Sequence, residues 1–266
     1  MTAPSAQTPQ SEQYDVIIVG AGQSGGPLAT ALGVAGRKTA IVEREHVGGT
    51  CINEGCTPTK TMVASARVAY LARRGADYGV QAGPISIEMT TVRKRKRDIV
   101  ESFRSGSERR IIQSANVSLL KGEASFVGAH TLDVHYPSGA MQRITAPTII
   151  LNTGARPSVP SIPGLASVPT LNSTTIMELD SVPDHLIVLG GGYIALEFGQ
   201  MFRRFGARVT LIERGPQLLS REDSDIADEV ARILREDGVE VLFETKTLRV
   251  EPGQLGQEAS GEVIRV

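Results

Sequence analysis

The sequence predicts an α/β protein with two doubly wound units in series, each built on a parallel sheet. A strand, a glycine turn, a helix and a second strand follow one another from Tyr14, and the same pattern returns from His185. Alternation of short apolar strands with helices is typical of parallel sheets covered on both faces. A pair of cysteines shortly after the first pattern adds an indication of redox chemistry.

The first pattern carries the spacing of a Rossmann-like dinucleotide-binding fingerprint, Gly20-x-Gly22-x-x-Gly25. In such a turn the first glycine permits the bend, the second lets a pyrophosphate approach the backbone, and the third lets helix and strand pack closely. The predicted second strand, Lys38–Glu43, ends in a carboxylate. A carboxylate at Glu43 can accept hydrogen bonds from ribose hydroxyls.

The second pattern repeats this arrangement with alanine in the third place, as Gly190-x-Gly192-x-x-Ala195. Its second strand, Arg208–Glu213, also ends in an acid, at the same offset as in the first copy. Two fingerprints indicate either two bound dinucleotides or one site lost after duplication. Redox chemistry between two cofactors favours the first interpretation, because it also explains the cysteines.

Cys51 and Cys56 are the only cysteines in the 266 residues. A disulfide between them would close a short loop and add little stability through chain entropy. A dithiol that cycles between open and closed states is the better explanation. A helix predicted to begin directly after Gly49 and Thr50 favours thiolate over thiol, because its N-terminus stabilises negative charge.

Composition excludes several other classes of function. A formal net charge of −1 gives no electrostatic drive toward nucleic acid or anionic lipid. No apolar run approaches the roughly 20 residues that cross a bilayer. Residues 1–13 lack the features of a signal peptide and are predicted to be a flexible leader. With both cysteines free for catalysis, the cytoplasm is the expected location.

Two further features are interpreted as structural. The basic run from Arg93 to Arg97 lies on a predicted helix, with its basic side chains largely in solvent rather than on nucleic acid. The four histidines have no cysteine or acid at metal-ligand spacing, so no metal site is predicted. An antiparallel excursion is expected around residues 117–146.

The motif GGTCINEGCTPTK at 48–60, with the two fingerprints, resembles the class I pyridine nucleotide–disulfide oxidoreductases. Dihydrolipoamide dehydrogenase, mercuric reductase and glutathione reductase are members of this family. The resemblance runs from about residue 14 to the end. It implies an FAD-binding domain with the redox-active disulfide at 14–155 and an incomplete NAD(P)-binding domain at 156–266.

Site residues follow from the same resemblance. It implies that FAD is held by Gly20, Gly22, Gly25, Glu43, Gly49, Thr50, Lys60, Thr153 and Gly154. It implies that the nicotinamide dinucleotide is held by Gly190, Gly192, Tyr193, Ala195 and Glu213. Tyr193 matches an aromatic lid over the empty nicotinamide pocket, although such a residue can also be an ordinary core aromatic.

The resemblance also implies a mechanism. Hydride passes from the nicotinamide to the flavin, and electrons pass on to the disulfide of Cys51 and Cys56. Cys56 would lie against the flavin as a thiolate, and Cys51 would exchange with the substrate. Lys60 would pair with Glu197 and tune the flavin by its positive charge. The catalytic residues are therefore expected to be Cys51, Cys56, Lys60 and Glu197.

The substrate is expected to be a small-molecule disulfide, a dithiol or a metal ion. Thr59 stands where glutathione reductases carry a second lysine, which favours a protein similar to dihydrolipoamide dehydrogenase or mercuric reductase. Glu213 favours NADH because an acid there repels a 2′-phosphate, although the neighbouring Arg214 could accommodate one.

Family members form homodimers through a C-terminal domain that also supplies a catalytic histidine. We expect both to be absent here, so that the chain is C-terminally truncated and incomplete for full turnover. The alternative is a dinucleotide-binding remnant without disulfide-reductase turnover. A flavin monooxygenase shares the two-fingerprint layout, but the cysteine motif argues against it.

Overall fold

A computed structural model describes residues 11–252 and the backbone of residues 264 and 265. The chain divides into two compact units. The first comprises Met1–Thr57 and Asp98–Arg156, and the second comprises Pro58–Arg97 and Pro157–Val266. The break between Arg156 and Pro157 lies one residue from the predicted domain boundary between residues 155 and 156. Residues 58–97 belong to the second unit, whereas the sequence analysis placed them in the first domain.

The secondary structure alternates between strands and helices. The strands, in chain order, are β1 (Glu12–Gln13), β2 (Val16–Val19), β3 (Thr39–Glu43), β4 (Val117–Lys121), β5 (Glu123–Gly128), β6 (Thr131–His135), β7 (Met141–Thr145), β8 (Thr148–Leu151), β9 (His185–Leu189), β10 (Arg208–Ile212), β11 (Glu240–Leu242), β12 (Glu251–Pro252) and β13 (Ile264–Arg265). The α-helices are α1 (Gly25–Val34), α2 (Gly49–Asn53), α3 (Cys56–Arg73), α4 (Met89–Ile112), α5 (Tyr193–Phe205) and α6 (Ser224–Glu236).

The first unit is built on a parallel sheet with strand order β4-β3-β2-β8. Its central strands are apolar and fully buried, as at Ile17, Ile18 and Ile41. Chain order reverses beside β2, because β3 and β4 lie on one side and β8 on the other. Such a reversal leaves a crevice at the carboxyl ends of the strands, which is where ligands bind in open α/β sheets. The predicted fold class is confirmed.

A second sheet in this unit corrects two expectations. Its order is β1-β7-β6-β5, with β1 parallel to β7 and the other pairs antiparallel. Glu12–Gln13 therefore belongs to a sheet and not to a flexible leader, while residues 1–10 lie outside the described residues. The antiparallel excursion begins only at β5. The apolar run of β4 pairs in parallel with β3 and completes the main sheet.

The second unit has a parallel sheet of order β11-β10-β9. Helix α5 packs on it through a buried apolar face that includes Phe198, Phe202 and Phe205. Met62 of α3 and Met89 of α4 belong to the same core cluster. This apolar packing explains why residues 58–97 group with the second unit.

The basic run from Arg93 to Arg97 lies on helix α4, as predicted. The expectation that its basic side chains lie largely in solvent needs correction. Lys96 is only 3% exposed. Its ammonium group donates to the Met177 carbonyl at 2.9 Å and pairs with Glu178. Arg93 is largely buried and pairs with Asp180. The first half of α4 is thus tied to the segment around residues 175–180. Among the described residues, no helix is long and apolar enough to cross a membrane.

Candidate functional site

The first glycine turn follows β2 at the crevice and requires its outer glycines. Gly20 has φ +105°, and a Cβ there would lie 2.1 Å from the Asn152 carbonyl oxygen. A Cβ on Gly25 would lie 2.1 Å from the carbonyl oxygen of Gly20. The Asn152 side chain also donates to that oxygen, at 3.1 Å. The end of β8 therefore supports the turn from behind, and the turn has the shape that the fingerprint predicts.

The segment before Cys51 packs directly against this turn. A Cβ on Gly49 would lie 2.7 Å from the Cα atom of Gly22. The backbone amide of Gly48 donates to the Ala21 carbonyl at 2.8 Å, and the Gln23 side chain donates to the Gly48 carbonyl at 3.1 Å. The start of α2 and the first glycine turn are consequently one local structure. The helix that carries Cys51 begins at the crevice.

The carboxylate of Glu43 ends β3 at the same edge. One oxygen accepts from the Ala21 amide at 2.8 Å, and the other accepts from the Glu45 amide at 2.8 Å. Glu43 thus lies beside the glycine turn, where the sequence predicted a ribose ligand. Thr50, Thr153 and Gly154 are exposed at the ends of neighbouring elements of this unit.

Cys51 and Cys56 lie on two consecutive helices and not on one. Helix α2 ends at Asn53, Glu54 and Gly55 interrupt it, and α3 begins at Cys56. The irregularity that a disulfide between these positions requires is therefore present. Both cysteines are free thiols, with Cys51 partly buried and Cys56 exposed. The Cys56 side chain lies near enough to that of Cys51 to affect the pKa of its thiol.

The expectation that a helix N-terminus favours thiolate at Cys51 is wrong. The hydrogen bond to Cys56 raises the pKa of the Cys51 thiol, and burial and negative charge on Cys56 raise this pKa further. The long helix begins at Cys56, so its terminal dipole acts there. The division of labour between the two sulfurs stays a prediction.

The second glycine turn follows β9 in the second unit. Gly190 has φ +100°, which requires glycine. Gly192 has an ordinary extended backbone (φ −79°, ψ 166°), and a Cβ there would meet nothing within 4 Å among the described residues. Neither the backbone nor local packing therefore requires glycine at 192. That a ligand approaches the backbone at this glycine stays a prediction. Ala195 accommodates its methyl group in α5, and Tyr193 is 71% exposed, so it is not a core aromatic.

Glu213 repeats the arrangement of Glu43. Its two oxygens accept from the amides of Gly191 at 2.6 Å and Gly215 at 2.7 Å. A cavity of about 560 Å³ opens beside the end of β10 and contains two basic residues, Lys246 and Arg249. The sequence analysis weighed only Arg214 as a neighbouring cation and missed these two. They follow β11 without any motif of their own.

Lys60 and Glu197 form the expected ion pair within the second unit. The side chain of Lys60 is 60% exposed and that of Glu197 36% exposed. Water screens a pair of this exposure, so it contributes little to stability. The pair holds the ammonium group of Lys60, from α3, beside Glu197 on α5. The catalytic role of this pair stays a prediction.

Sequence reasoning missed the residues that hold the turns in place. Asn152 supports the first glycine turn, and Asn53 caps the loop before Cys51 through three backbone carbonyls. Asn53 stands inside the cysteine motif, which was the available signal. Asn152 follows β8 directly, and its position beside Gly20 depends on strand pairing. Among the described residues, no group of three or more histidine, cysteine or acidic side chains could hold a metal ion.

Fold and site together define a two-unit α/β protein with two glycine turns of the dinucleotide-binding type and a pair of free cysteines beside the first turn. The profile of the pyridine nucleotide-disulphide oxidoreductase family matches residues 14–265. The chain belongs to this family, which confirms the resemblance stated from the sequence.

Similar proteins agree with this assignment. The probable pyridine nucleotide-disulfide oxidoreductase RclA of Escherichia coli is 37% identical over 90% of this chain and 51% of its own length. Mercuric reductase of Bacillus cereus is 35% identical over 90% of this chain and 37% of its own length. Dihydrolipoyl dehydrogenase of Mycoplasma pneumoniae is 31% identical over 94% of this chain and 54% of its own length. The chain thus spans about half, or less, of these relatives.

Solved structures show the same likeness. The HOCl-induced flavoprotein disulfide reductase RclA from Escherichia coli superposes with a TM-score of 0.78 at 34% identity, over 94% of this chain and 54% of that one. Its Cu(II) complex gives a TM-score of 0.79 at 34% identity, over 94% and 55% of the two chains.

Proposed function

We propose that this chain carries the dinucleotide sites and the dithiol of a flavin-dependent pyridine nucleotide–disulfide oxidoreductase. The observation that supports this most strongly is the contact between Gly49 and Gly22, since it brings the helix of Cys51 to the first glycine turn. Gly20, Gly22 and Glu43 are suited to hold FAD at this crevice. Bound FAD would supply two-electron transfer between a nicotinamide and sulfur.

The chemistry of the chain itself is thiol–disulfide exchange. A thiolate of the reduced pair attacks a substrate disulfide, forms a mixed disulfide and releases the first substrate thiol. The second sulfur then attacks the mixed disulfide, releases the second thiol and closes the bond between Cys51 and Cys56. Two electrons leave the pair and reduce one substrate disulfide. Cys56 is near enough to Cys51 to affect the pKa of its thiol, which is consistent with exchange between the two sulfurs.

The finer parts of the proposal rest on the sequence. NADH is the preferred reductant because Glu213 repels a 2′-phosphate, and Gly190, Gly192, Tyr193 and Ala195 complete its site. Lys60, paired with Glu197, tunes the flavin. The substrate is a small disulfide, a dithiol or a metal ion. The full-length protein acts in the cytoplasm as a homodimer.

Flavin binding and dithiol reduction test this proposal together. The purified chain is reconstituted with FAD, freed of excess flavin and oxidised, and its thiols are counted before and after anaerobic NADH. We expect a yellow protein that gains two thiols per chain. Cys56→Ser should retain the flavin and gain none, because it has no disulfide to reduce. The exposed Ser138→Ala serves as a matched surface control.

Two results would contradict the proposal. A colourless chain after reconstitution would favour the dinucleotide-binding remnant. A yellow chain in which NADH bleaches the flavin but releases no thiols would remove the dithiol from the electron path.

A further inference from the structure

The loop that leads into Cys51 is held on the side of α2 by the side chain of Asn53, while Gln23 contacts the same loop at Gly48. Its amide nitrogen donates to the carbonyl oxygens of Gly49 at 2.9 Å, Val47 at 3.1 Å and His46 at 3.5 Å. These carbonyls belong to the turn in which Gly48 and Gly49 adopt positive φ. The Asn53 amide thus bonds three carbonyls of the turn that presents Cys51.

An asparagine amide can adopt two orientations that exchange the places of its oxygen and its nitrogen. Only the orientation with the nitrogen toward the turn can donate to the three carbonyls. The oxygen of Asn53 accepts from Nε of Arg104 at 2.7 Å. A guanidinium is only a donor, and the three carbonyls are only acceptors. Arg104 therefore selects the orientation in which the amide nitrogen faces the turn.

Arg104 is itself held on α4. Its Nη1 donates to Glu101 at 3.2 Å, and Glu101 also accepts from the Ser105 hydroxyl at 2.7 Å. The Arg104 side chain is 24% exposed, whereas that of Glu101 is 61% exposed. The guanidinium thus reaches inward to Asn53 from an anchored position. Both residues lie in the first unit, as do the cysteines.

Helix α2 has five residues, and helices this short are not stable on their own. The position of Cys51 therefore depends on tertiary contacts, namely the buried side chain of Ile52 and the contacts at the ends of α2. Asn53 supplies those of its N-terminal turn, and Arg104 fixes Asn53. If the Asn53 amide were not held, Cys51 could occupy a wider range of positions. In a smaller fraction of these positions its sulfur would meet that of Cys56.

We propose that Arg104 is a positioning residue for the redox dithiol, acting through the Asn53 amide. This inference rests on the proposed function, because only a redox dithiol needs such positioning. Its test does not require the proposed electron transfer from NADH. With Arg104 present, the two sulfurs have a high effective concentration toward each other, which favours the disulfide. Without it, that concentration falls and the disulfide becomes easier to reduce.

The test uses glutathione, so that neither flavin nor NADH enters. One oxidised glutathione takes two electrons and two protons from the thiols of Cys51 and Cys56 and leaves as two reduced molecules. The equilibrium constant is measured by alkylation across glutathione redox buffers. We expect Arg104→Leu to lower it on the order of tenfold. Arg110→Leu, an exposed arginine of the same helix, should not change it.

Two further variants separate positioning from general stability. If Arg104 acts through Asn53, Arg104→Leu should have no added effect in an Asn53→Ala background. Melting temperatures are recorded for every variant. If Arg104→Leu also lowers the melting temperature, Arg104→Lys decides, because a lysine retains a donor toward Asn53 and should restore most of the equilibrium constant.

An equilibrium constant for Arg104→Leu equal to that of the wild type would overturn the inference, as would additive effects with Asn53→Ala or no recovery in Arg104→Lys. A wild-type chain that forms no bond between Cys51 and Cys56 would overturn this inference and the proposed function together. Failure of NADH to reduce the pair, with a normal glutathione equilibrium, would count against the proposed function alone.

Discussion

His185, Thr210 and Glu240 form a hydrogen-bonded row across β9, β10 and β11. The Thr210 hydroxyl donates to Glu240 at 2.7 Å, so it accepts from Nε2 of His185 at 2.9 Å. Arg208 donates to Nδ1 of the same ring at 2.6 Å. This assigns the neutral tautomer with its proton on Nε2. Burial, followed by the charge of Arg208, lowers the pKa of His185, while Glu240 opposes the shift.

This row predicts a pH dependence of stability. A histidine with a lowered pKa binds fewer protons folded than unfolded, so its stabilising contribution is complete above the unfolded value of about 6.5. It should be lost as the pH falls from there through the lowered folded pKa. Urea midpoints from pH 8 to pH 5 check this. His185→Gln should flatten the acid side of the profile, whereas the exposed His130→Gln should not.

At the residue scale, chemical type was easier to predict than surroundings. Both fingerprints, both terminal acids and both cysteines could be identified because each belongs to a spaced motif. Asn152 and Arg104 could not, since each acts on a residue distant in sequence through a sheet or a helix. The direction of the Cys51 pKa shift was missed because it depends on a hydrogen bond to Cys56.

At the scale of elements, α4 shows how a charged run can form part of a core contact. Lys96 is buried, and burial lowers its pKa despite the opposing effect of Glu178. Glu178 accepts from Lys96 and from Arg97, the latter at 2.6 Å. These contacts fasten α4 to the short 3-10 helix Thr175–Glu178. Periodicity predicted the helix but could not show which basic residue faces inward.

This contact predicts a stability effect. Glu178→Ala should lower the free energy of unfolding by about 1–2 kcal/mol, because it leaves a buried ammonium with only the Met177 carbonyl, and the exposure of Glu178 limits the loss. Adding Lys96→Met should recover part of it, since an apolar side chain needs no partner. Urea denaturation measures both. Glu229→Ala, which breaks an exposed ion pair with Arg232, is the control and should show no measurable change. An equal loss in both single variants would contradict this account.

The four strands of the two fingerprints were predicted to within two residues because their apolar runs are short and bounded by turns. His185–Leu189 agrees at both ends, and the strand predicted from Tyr14 begins at Val16. The error concerned strand pairing. Strand β4 was expected to belong to the antiparallel excursion, but it pairs in parallel with β3. Strand pairing is a long-range property that local composition does not determine.

At the scale of the whole molecule, two units share the chain in alternation. Segments 58–97 and 157–266 form one unit, and the remaining segments form the other. Each has its own apolar core, around Ile17 and Leu132 in the first and around Phe202 and Leu211 in the second. The fingerprints predicted two units, whereas the interleaving depends on packing of α3 and α4 that no motif records.

Separate sites in separate units predict separate protection by ligands. FAD should slow amide hydrogen exchange at residues 20–26 and 48–53, and NADH should slow it at residues 190–196. The proposed preference for NADH, based on the carboxylate of Glu213, predicts that NADPH needs a higher concentration than NADH for the same protection. Exchange measured by mass spectrometry tests both. Protection of the second turn by FAD alone, or stronger protection by NADPH, would contradict the assignment.

The two terminal acids carry one last consequence. Glu43 and Glu213 each clamp a glycine turn to the following bend through backbone amides. The conformational entropy of each turn is therefore lost during folding, before any ligand arrives, and association starts from a preorganised cradle. A carboxylate has about four lone-pair sites. Two are occupied here, so each acid retains acceptor capacity for both hydroxyls of a vicinal diol without releasing its clamp.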